Sequence, residues 1–550
     1  MGESGPRERT GRACATPTLS TTSPPSRWHA AADHPHAIAW LVAGFTLLRL
    51  LLAASVPLLP QEAYYWTWSL HPDWSYFDHP PLATYGIWLT THVFGQNGFG
   101  IKAAAVLWAL GWNLLWARIV LDLYGDRRLA FWSLAALNLT LMYEAYAVGP
   151  TPDTPLVFAW VAALWCVWRA GAPTPPVGGG TPGGAGELGA ARRFLAGESG
   201  DGRWWFAAGA CIGVSLLGKY SGVLLLAIVF LYLLTSARLR PWLAKPQPWL
   251  AALLALALFA PVIWWNAQHD WVSFTFQSSR RVGEMSGFKP RYFLMLVGTQ
   301  FALLTPYVFV LAIGALVRGA RQTVGPAAFD DRDRLLLLSA AVPIAIFTLI
   351  SFRSIVKINW LLPAWWSIVI LGVRHVLALQ DGVRRLVRGL ASSAAILVAA
   401  GAVVAVPNLP IAGDLNTWSG WRDAARHVEA VQSALSREGR SSFVFSPNYK
   451  ISSLMRFYLP GHPRTYAQDI VGERALQYDY FPRPSDLKGE SGVLVVSDQD
   501  QGDIDMARVR TFFASVELVD TIEARAFGKV TRRIEIYRCT NYAGHPRGPR

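Results

Sequence analysis

Apolar and polar segments alternate regularly along residues 37–407. The apolar segments occupy residues 37–59, 100–124, 129–148, 155–170, 204–218, 220–237, 248–265, 292–317, 334–351, 360–379 and 389–407. Because about 20 apolar residues are needed to cross a bilayer, the pattern predicts a bundle of about eleven transmembrane helices. Residues 82–94 are apolar but short, and they follow two prolines, so they predict an interfacial helix.

Residues 408–550 have a different pattern. Apolar positions recur with helical spacing in 418–437, and the segments SSFVFSP, GVLVVSD and RRIEIYR are typical of strands. We therefore predict a mainly α fold, with the bundle at 37–407 and a small α/β domain at 408–550. Residues 1–36 are rich in Ser, Thr, Pro and Arg and lack the apolar core of a signal peptide, which predicts a disordered tail.

Composition supports a membrane protein. The chain is 52% hydrophobic and 16% charged, whereas a soluble protein carries about 25% charged residues. A net charge of +14 would indicate nucleic acid as the partner of a soluble protein. Here the Lys and Arg residues fall between the apolar segments, so we expect a multi-pass protein of the bacterial inner membrane that does not bind nucleic acid.

The basic loops predict the orientation. They are residues 125–128, the Pro/Gly-rich linker 171–203, and residues 238–245, 318–334 and 374–388. Basic loops stay in the cytoplasm, so the N-terminus is expected there. An odd number of spans then places the C-terminal domain outside, together with the first long loop at residues 60–99.

Carboxylates gather on the predicted outer side. Glu62 opens the first outer loop, Asp78 and His79 precede two prolines, and Asp153 lies in GPTPDTP between two spans. A carboxylate there could take a proton from an acceptor hydroxyl or hold a divalent ion. A solvated surface acid or a favourable charge at a helix start is the alternative for Glu62 and Asp153.

Basic residues lie on the same predicted side. They are Lys219, Arg280, Arg281, Arg353 and Lys357. Each could be a solvated or snorkelling surface charge, or could bind an anionic headgroup such as a lipid phosphate. Carboxylates beside basic groups suit sugar transfer from a lipid phosphate to an acceptor outside the cytoplasm. Arg49, inside the first span, either pairs with a buried acid or snorkels.

Six segments carry a resemblance to a known family. They are QEAYYW (61–66), YFDHPPL (76–82), PTPDTPLVFAW (150–160), LLGKYSGVLL (216–225), WWNAQHDWVSFTFQ (264–277) and KINWLLPAW (357–365). Together they resemble the GT-C superfamily of polyprenol-phosphate-sugar glycosyltransferases. The similarity is greatest to bacterial members of glycosyltransferase family 39, which are related to protein O-mannosyltransferases and to aminoarabinose transferases of lipid A.

The resemblance implies roles for individual residues. Asp78 would lie near a metal ion or the acceptor, His79 near the donor phosphate, and Asp153 would be the second outer-loop acid, which is also a candidate metal ligand. The residues expected to line the donor cavity or contact its phosphate are Lys219, Tyr220, Arg353 and Lys357. Candidates for substrate binding are Tyr64, Tyr65, Asn266, Gln277 and Arg280.

One position departs from the family pattern. The first-loop motif usually begins with Asp-Glu, and this chain has Gln61-Glu62. Either Glu62 takes over the role of the missing Asp, or Asp78 does, or the chain belongs to a subgroup with altered chemistry. The segments at 421–431 and 477–481 resemble family tail motifs, which implies acceptor recognition by the C-terminal domain.

These observations predict an inverting glycosyltransferase that moves a sugar from a polyprenyl phosphate to a lipid, glycan or protein of the cell envelope. The alternatives are a transporter or flippase of anionic lipids and a membrane-anchored scaffold. Transport usually needs a polar path across the bilayer. Apart from Arg49, the predicted spans are nearly free of ionisable groups, which favours the transferase. A divalent metal ion as cofactor is left open.

Overall fold

The computed structural model describes residues 32–171, 202–284, 287–324, 329–406, 408–409, 419–482, 487–498 and 504–545. The predicted tail at 1–36 and linker at 171–203 lie largely outside these ranges. Helices dominate the described residues, and one sheet lies near the C-terminus, so the predicted fold class is confirmed. The domain boundaries stay predictions, because residues 410–418 lie outside the described ranges.

Sixteen helices precede the C-terminal domain in the described ranges, apart from short 3-10 turns. They are α1 (Ala37–Ser55), α2 (Pro60–Ser69), α3 (Leu82–Phe94), α4 (Gly98–Tyr124), α5 (Arg127–Asn138), α6 (Leu141–Val148), α7 (Asp153–Gly171), α8 (Arg203–Gly218), α9 (Leu224–Thr235), α10 (Pro246–Gln268), α11 (Val272–Glu284), α12 (Pro290–Leu303), α13 (Pro306–Val324), α14 (Asp331–Ser351), α15 (Leu362–Leu377) and α16 (Gly382–Ala405). The predicted interfacial helix at 82–94 coincides with α3.

Fewer helices than predicted are long enough to cross a bilayer. Within the described residues six meet the length and apolarity of a span, namely α1, α4, α7, α10, α14 and α16, and a bent pair raises the number to seven. Shorter apolar helices occupy Tyr220–Thr235 and Leu362–Leu377. Several of the predicted segments fold as helices shorter than about 20 residues, so helix length alone does not decide the predicted number of about eleven spans.

The predicted span at 129–148 is wrong as one helix. It divides into α5 and α6, because α5 ends at Asn138 and Thr140 begins a new helix. The Thr140 hydroxyl accepts a hydrogen bond from the Tyr143 N–H at 3.3 Å, which caps α6. A capped start of this kind stabilises a second helix in place of a continuous one.

The predicted span at 292–317 is also broken. Residues 290–303 and 306–323 meet at an angle of 118°. Thr305, between them, has a φ of 65°, in the left-handed region, and Pro306 follows it. A residue before proline is kept out of the α-helical region, so the chain turns there instead of continuing.

Ion pairs gather several helix ends on one side of the bundle. Arg238, after α9, pairs with Asp331 at the start of α14 at 2.7 Å. Arg374, near the end of α15, pairs with Asp333 at 2.6 Å, and the Tyr124 hydroxyl at the end of α4 donates to Asp333 at 2.6 Å. The basic loops that the sequence assigns to one compartment therefore contribute to one charged cluster.

The C-terminal domain combines helices with a mixed sheet. Its elements are α17 (Trp421–Arg437), β1 (Ser442–Phe445), α18 (Tyr449–Tyr458), β2 (Thr465–Tyr466), β3 (Ser491–Ser497), α19 (Met506–Thr511), β4 (Phe513–Ala526) and β5 (Lys529–Tyr542). The strand order is β2-β1-β3-β5-β4. Strand β1 runs parallel to β2 and β3, whereas β5 is antiparallel to β3 and β4.

The domain packs directly on the first long loop. Tyr64, Trp66 and Trp68 of α2 share one buried apolar cluster with Trp421 of α17 and Leu454 of α18. Burial of aromatic side chains is a major source of packing stability. The loop and the domain therefore form one unit on the side of the bundle opposite the charged cluster.

A buried ion pair joins α1 to α6. Arg49 pairs with both carboxylate oxygens of Glu144, and its Nη2 also donates to the Asn138 side chain. Arg49 therefore pairs with a buried acid, which is one of the two alternatives that the sequence left open. Glu144 and Lys102, both buried, also correct the expectation that the bundle has almost no ionisable groups besides Arg49.

We predict that Arg49→Met lowers the free energy of unfolding by about 3–5 kcal/mol, because it leaves Glu144 charged and buried without its cation. The double variant Arg49→Met/Glu144→Met should recover most of this loss. The measurement is SDS-driven unfolding of the purified protein in bicelles.

The matched control is Arg118→Met. Arg118 lies on α4, and its side chain is 56% exposed while it pairs with Asp122. Losing an exposed pair should change the free energy by less than about 1 kcal/mol. Equal losses for Arg49→Met and Arg118→Met would contradict the assignment of the buried pair.

Candidate active site

Asp78 is held between α2 and α11. The Tyr64 hydroxyl donates to Asp78 Oδ2 at 2.7 Å, and Gln277 Nε2 donates to the Asp78 backbone carbonyl at 2.8 Å. Tyr64 is completely buried. Burial raises the pKa of Tyr64 well above its usual value, and the Asp78 charge raises it further. The phenol therefore stays protonated and acts as a fixed donor to the carboxylate.

The C-terminal domain completes this arrangement through Gln477. Its backbone N–H donates to the Tyr64 hydroxyl at 3.1 Å, and its side-chain oxygen accepts the Phe77 N–H at 2.7 Å. Gln477 begins the QYDYF segment noted in the sequence. One residue of the domain thus fixes both the phenol that contacts Asp78 and the backbone just before it.

Asp153 forms a second charged centre at the first turn of α7. Lys219 Nζ donates to Asp153 Oδ1 at 2.7 Å, and Asn359 Nδ2 donates to Oδ2 at 2.6 Å. Asp153 and Lys219 are both buried. Lys219 lies at the break between α8 and the following 3-10 turn, in an extended conformation that turns it out of the helix. Both carboxylate oxygens are therefore engaged.

Tyr65 connects the two centres electrostatically. Burial raises the pKa of the Tyr65 phenol most strongly, the charge on Asp78 raises it further, and that on Asp153 adds a smaller increase. Helix α2 also lies beside both centres. Tyr64 contacts Asp78, and Glu62 of the same helix lies next to Gly149, four residues before Asp153.

Glu62 lies beside this region but is paired. Its Oε2 accepts from Lys102 of α4 and from the Leu59 N–H, the latter at 2.8 Å. The second oxygen, Oε1, is buried without a hydrogen-bond partner in the described part of the chain. A side chain at Gly149 would place its Cβ 3.4 Å from this oxygen. Glu62 therefore faces the turn that leads to Asp153.

The other predicted residues differ in their placement. The His79 ring lies 6.3 Å from the Tyr65 ring, and Tyr220 packs 5.5 Å from the Phe274 ring. Asn266 accepts the Ser273 N–H at 3.1 Å, so it fixes the turn between α10 and α11 instead of facing open space.

Lys357 and Arg353 lie on the segment between α14 and α15, and both are exposed. It is Asn359, two residues after Lys357, that reaches Asp153. The Arg280 side chain lies outside the described residues.

Three contacts were missed by the sequence analysis. Asn359 lies inside the KINW segment, in which the sequence analysis considered only the charged Lys357. Lys102 is a lysine in a long apolar helix, a pattern that itself indicates a buried partner. Gln477 lay in a recognised segment, but nothing in the spacing indicated that it would meet Tyr64.

The carboxylates do not fit a divalent ion in this arrangement. No three His, Cys, Asp or Glu side chains of the described residues are grouped so that they could hold a metal. Asp153 already accepts from an ammonium and an amide, and a neighbouring cation opposes metal binding. The predicted role of Asp78 and Asp153 as metal ligands therefore gains no support, and no step below depends on a metal.

Comparison with known proteins shows what this chain is similar to. Residues 78–173 and 193–265 match the family described as dolichyl-phosphate-mannose-protein mannosyltransferase. The structure of ArnT from Cupriavidus metallidurans in the apo state aligns with a TM-score of 0.54 at 16% identity, covering 91% of this chain and 97% of that one. The chain has the fold of this ArnT structure. The resemblance predicted from the sequence is confirmed.

A second ArnT structure and one further protein are also similar to this chain. ArnT from the same organism bound to undecaprenyl phosphate aligns with a TM-score of 0.53 at 16% identity, covering 91% of this chain and 98% of that one. The lipid A galacturonosyltransferase RgtD of Rhizobium johnstonii is 24% identical over 341 residues. That match covers 60% of this chain and 64% of the relative, so it spans less than two thirds of the relative's length.

A basic cluster lies where the first loop meets the domain. Arg456 Nη1 of α18 lies 3.4 Å from His71 Nε2. Burial lowers the pKa of His71 to about 4, and the charges of Arg456 and Arg464 contribute to this. An arginine only donates, so His71 accepts through Nε2 as a neutral imidazole.

We predict that His71 titrates near pH 4, and that Arg456→Gln raises its pKa toward the usual value of about 6.5, because one repelling charge is lost. NMR titration of ring-labelled histidine in the full-length protein measures this. Arg437→Gln, an exposed arginine on α17, is the matched control and should leave the value unchanged.

The lowered pKa of His71 makes the stability of the folded protein depend on pH. The folded pKa lies below the unfolded one, so the unfolded chain binds more protons between about pH 6.5 and pH 4. His71 should therefore lower stability as the pH falls through this window, and His71→Gln should remove that contribution. A His71 pKa of 6 or above in the unmodified protein would contradict the described packing.

Proposed function

We propose that this protein is an inverting glycosyltransferase that moves a sugar from a polyprenyl-phosphate donor to a lipid, glycan or protein acceptor outside the cytoplasm. The observation that supports the proposal is that α2 lies beside both charged centres: Tyr64 contacts Asp78, and Glu62 faces the turn that leads to the Asp153–Lys219 pair. A carboxylate beside a buried cation provides a proton acceptor next to a site for a leaving phosphate.

Asp78 is the best candidate for the base among the three carboxylates. Asp153 is occupied by Lys219 and Asn359, and Glu62 is paired with Lys102. Asp78 is only half-buried, and the Tyr64 phenol donates to one of its carboxylate oxygens, which orients the carboxylate. We therefore propose Asp78 for the role that Gln61 leaves open.

The reaction balances with these groups. The acceptor hydroxyl attacks the anomeric carbon of the sugar while the bond from that carbon to the phosphate oxygen breaks. The hydroxyl proton passes to Asp78, and the polyprenyl phosphate leaves with the electron pair of the broken bond. A single displacement inverts the anomeric centre. A product with retained configuration would contradict this order.

Lys219 is the principal candidate for the departing phosphate. It is buried, and its Nζ lies 2.7 Å from Asp153 Oδ1. Charge-assisted bonds to phosphate are strengthened where water is excluded. His79, Tyr220, Arg353 and Lys357 remain candidates for the rest of the donor site. The name of the relative RgtD makes a galacturonic acid donor and lipid A the first pair to test.

We predict that Asp78→Asn lowers kcat/KM for sugar transfer by about a hundredfold to ten-thousandfold, the usual contribution of a general base. Tyr64→Phe should have a smaller effect, about tenfold, because the carboxylate remains but loses its orienting donor. Purified protein, polyprenyl-phosphate galacturonic acid and lipid A provide the assay.

The matched control is Asp423→Asn, whose side chain is 60% exposed on α17, and its rate should equal that of the unmodified protein. Equal rates for Asp78→Asn and the unmodified enzyme would remove Asp78 as the base. Lipid flipping by the purified protein without transfer to any envelope fraction would favour a transporter instead.

We also predict the orientation of the chain in the membrane. In a chain whose four cysteines are replaced by serine, Ser436→Cys should react with an impermeant maleimide in intact spheroplasts. Gln322→Cys, on the basic side, should react only after permeabilisation, because basic loops stay in the cytoplasm. Both side chains are exposed. The reverse labelling pattern would contradict the proposed sidedness.

A further inference from the structure

A cavity of about 680 Å³ lies between the turn joining α10 to α11 and residues 474–482 of the C-terminal domain. Exposed residues form its rim, and Val272, Asp479 and Phe481 are buried beneath them. Pockets of roughly 300–1,000 Å³ are typical of small-molecule sites. The mechanism above uses none of the residues that line this cavity.

Aromatic rings form one wall. His269 stacks on Trp265 with ring centroids 3.9 Å apart, and Tyr480 lies 5.5 Å from His269. Phe481 adds a further ring to the lining. Flat aromatic faces bury apolar surface while leaving ring edges and polar tips available for hydrogen bonding.

Hydrogen-bond donors and hydrogen-bond acceptors surround these rings. Arg474 donates only, Asp270 and Asp479 accept, and Gln268 does both. This mixture suits a ligand whose many hydroxyls both donate and accept. It suits a fatty chain poorly, because burying these groups against hydrocarbon would leave them without partners.

The backbone is strained on both sides of the cavity. Asp270 and Trp271 have φ angles of 53° and 56°, and Leu476 on the facing segment has a φ of 53°. Left-handed conformations are costly for residues other than glycine and cluster at binding sites. The turn of Asp270 and Trp271 places Gln268 and His269 at the cavity rim.

The segments that line the cavity also hold Asp78. Gln277, on the same helix as Val272 and Thr275, donates to the Asp78 carbonyl. Gln477, between Arg474 and Asp479, fixes Tyr64 and Phe77. Arg474 and Tyr480 lie 5.3 Å and 6.0 Å from the ring of Phe77, the residue before Asp78. A ligand in the cavity is therefore close to the proposed base.

We propose that this cavity binds a saccharide ring of the acceptor. The inference rests on the proposed function, since it assigns the acceptor of that reaction to a hydroxyl-rich glycan or glycolipid headgroup. Tyr480 and His269 would cover the ring face, while Arg474, Asp270 and Gln268 would bond its hydroxyls. A ring held here presents a hydroxyl toward Asp78.

The test compares acceptor and donor kinetics in Tyr480→Ala and Arg474→Gln. Both variants should raise the acceptor KM at least about tenfold while the donor KM changes less than about twofold. The matched control is Arg437→Gln on α17, which should leave both values unchanged. Thermal unfolding of each variant confirms folding, and Arg474→Gln, at an exposed position, is the variant expected to fold without difficulty.

A second measurement needs no transfer. Saturation-transfer NMR with maltose as the probe should show binding to the full-length protein in nanodiscs, reduced at least threefold in both variants. Equal maltose signals in variants and unmodified protein would overturn the proposal.

The outcomes separate the two proposals. Transfer with unchanged acceptor KM in both variants overturns the cavity assignment and leaves the transferase intact. Absence of transfer by the unmodified protein to any envelope fraction overturns the proposed function, while maltose binding still reports on the cavity. Competition between the delipidated acceptor saccharide and the intact glycolipid would support binding of the headgroup. Transfer to a sugar-free peptide with no maltose binding would overturn the inference.

Discussion

The hydrogen bond from the Tyr64 phenol to the Asp78 carboxylate is the contact on which the candidate site depends. The phenol is buried and fixed by Gln477 of the C-terminal domain, so its position is determined by packing and not by solvent. Through it, the first loop, α11 and the domain are fixed relative to one carboxylate. A group held by a rigid neutral donor keeps both its charge and its orientation, which a proton acceptor requires.

The buried charges around this contact follow a common rule. Each ionisable group inside the bundle named here has a counter-charge: Arg49 with Glu144, Lys102 with Glu62, and Lys219 with Asp153. An isolated charge would be too costly at this depth. The first two pairs join helices, whereas the third lies beside the proposed base. Asp78 accepts a hydrogen bond from the Tyr64 phenol, which is an uncharged donor.

Sequence reasoning found the fold class and several members of the site. Asp78, Asp153 and Lys219 stood out because charge on an apolar background is rare, and the structure pairs Lys219 with Asp153. It could not find Asn359 or Gln477, because spacing shows which residues share a side of the membrane but not which atoms meet. It also mistook two broken segments for continuous spans. Hydrophobicity is similar for one helix and for two short ones, and the breaks at Thr140 and Thr305 depend on local backbone conformation.

The link between Gln477 and Tyr64 joins residues 413 positions apart. A ribosome releases the loop long before it makes the partner that fixes it, and domains generally fold in order of synthesis. The newly inserted bundle would therefore spend a period with an unfinished catalytic centre. The proposed site is complete only after the last quarter of the chain has folded back onto the first loop, so its assembly is the last step of folding.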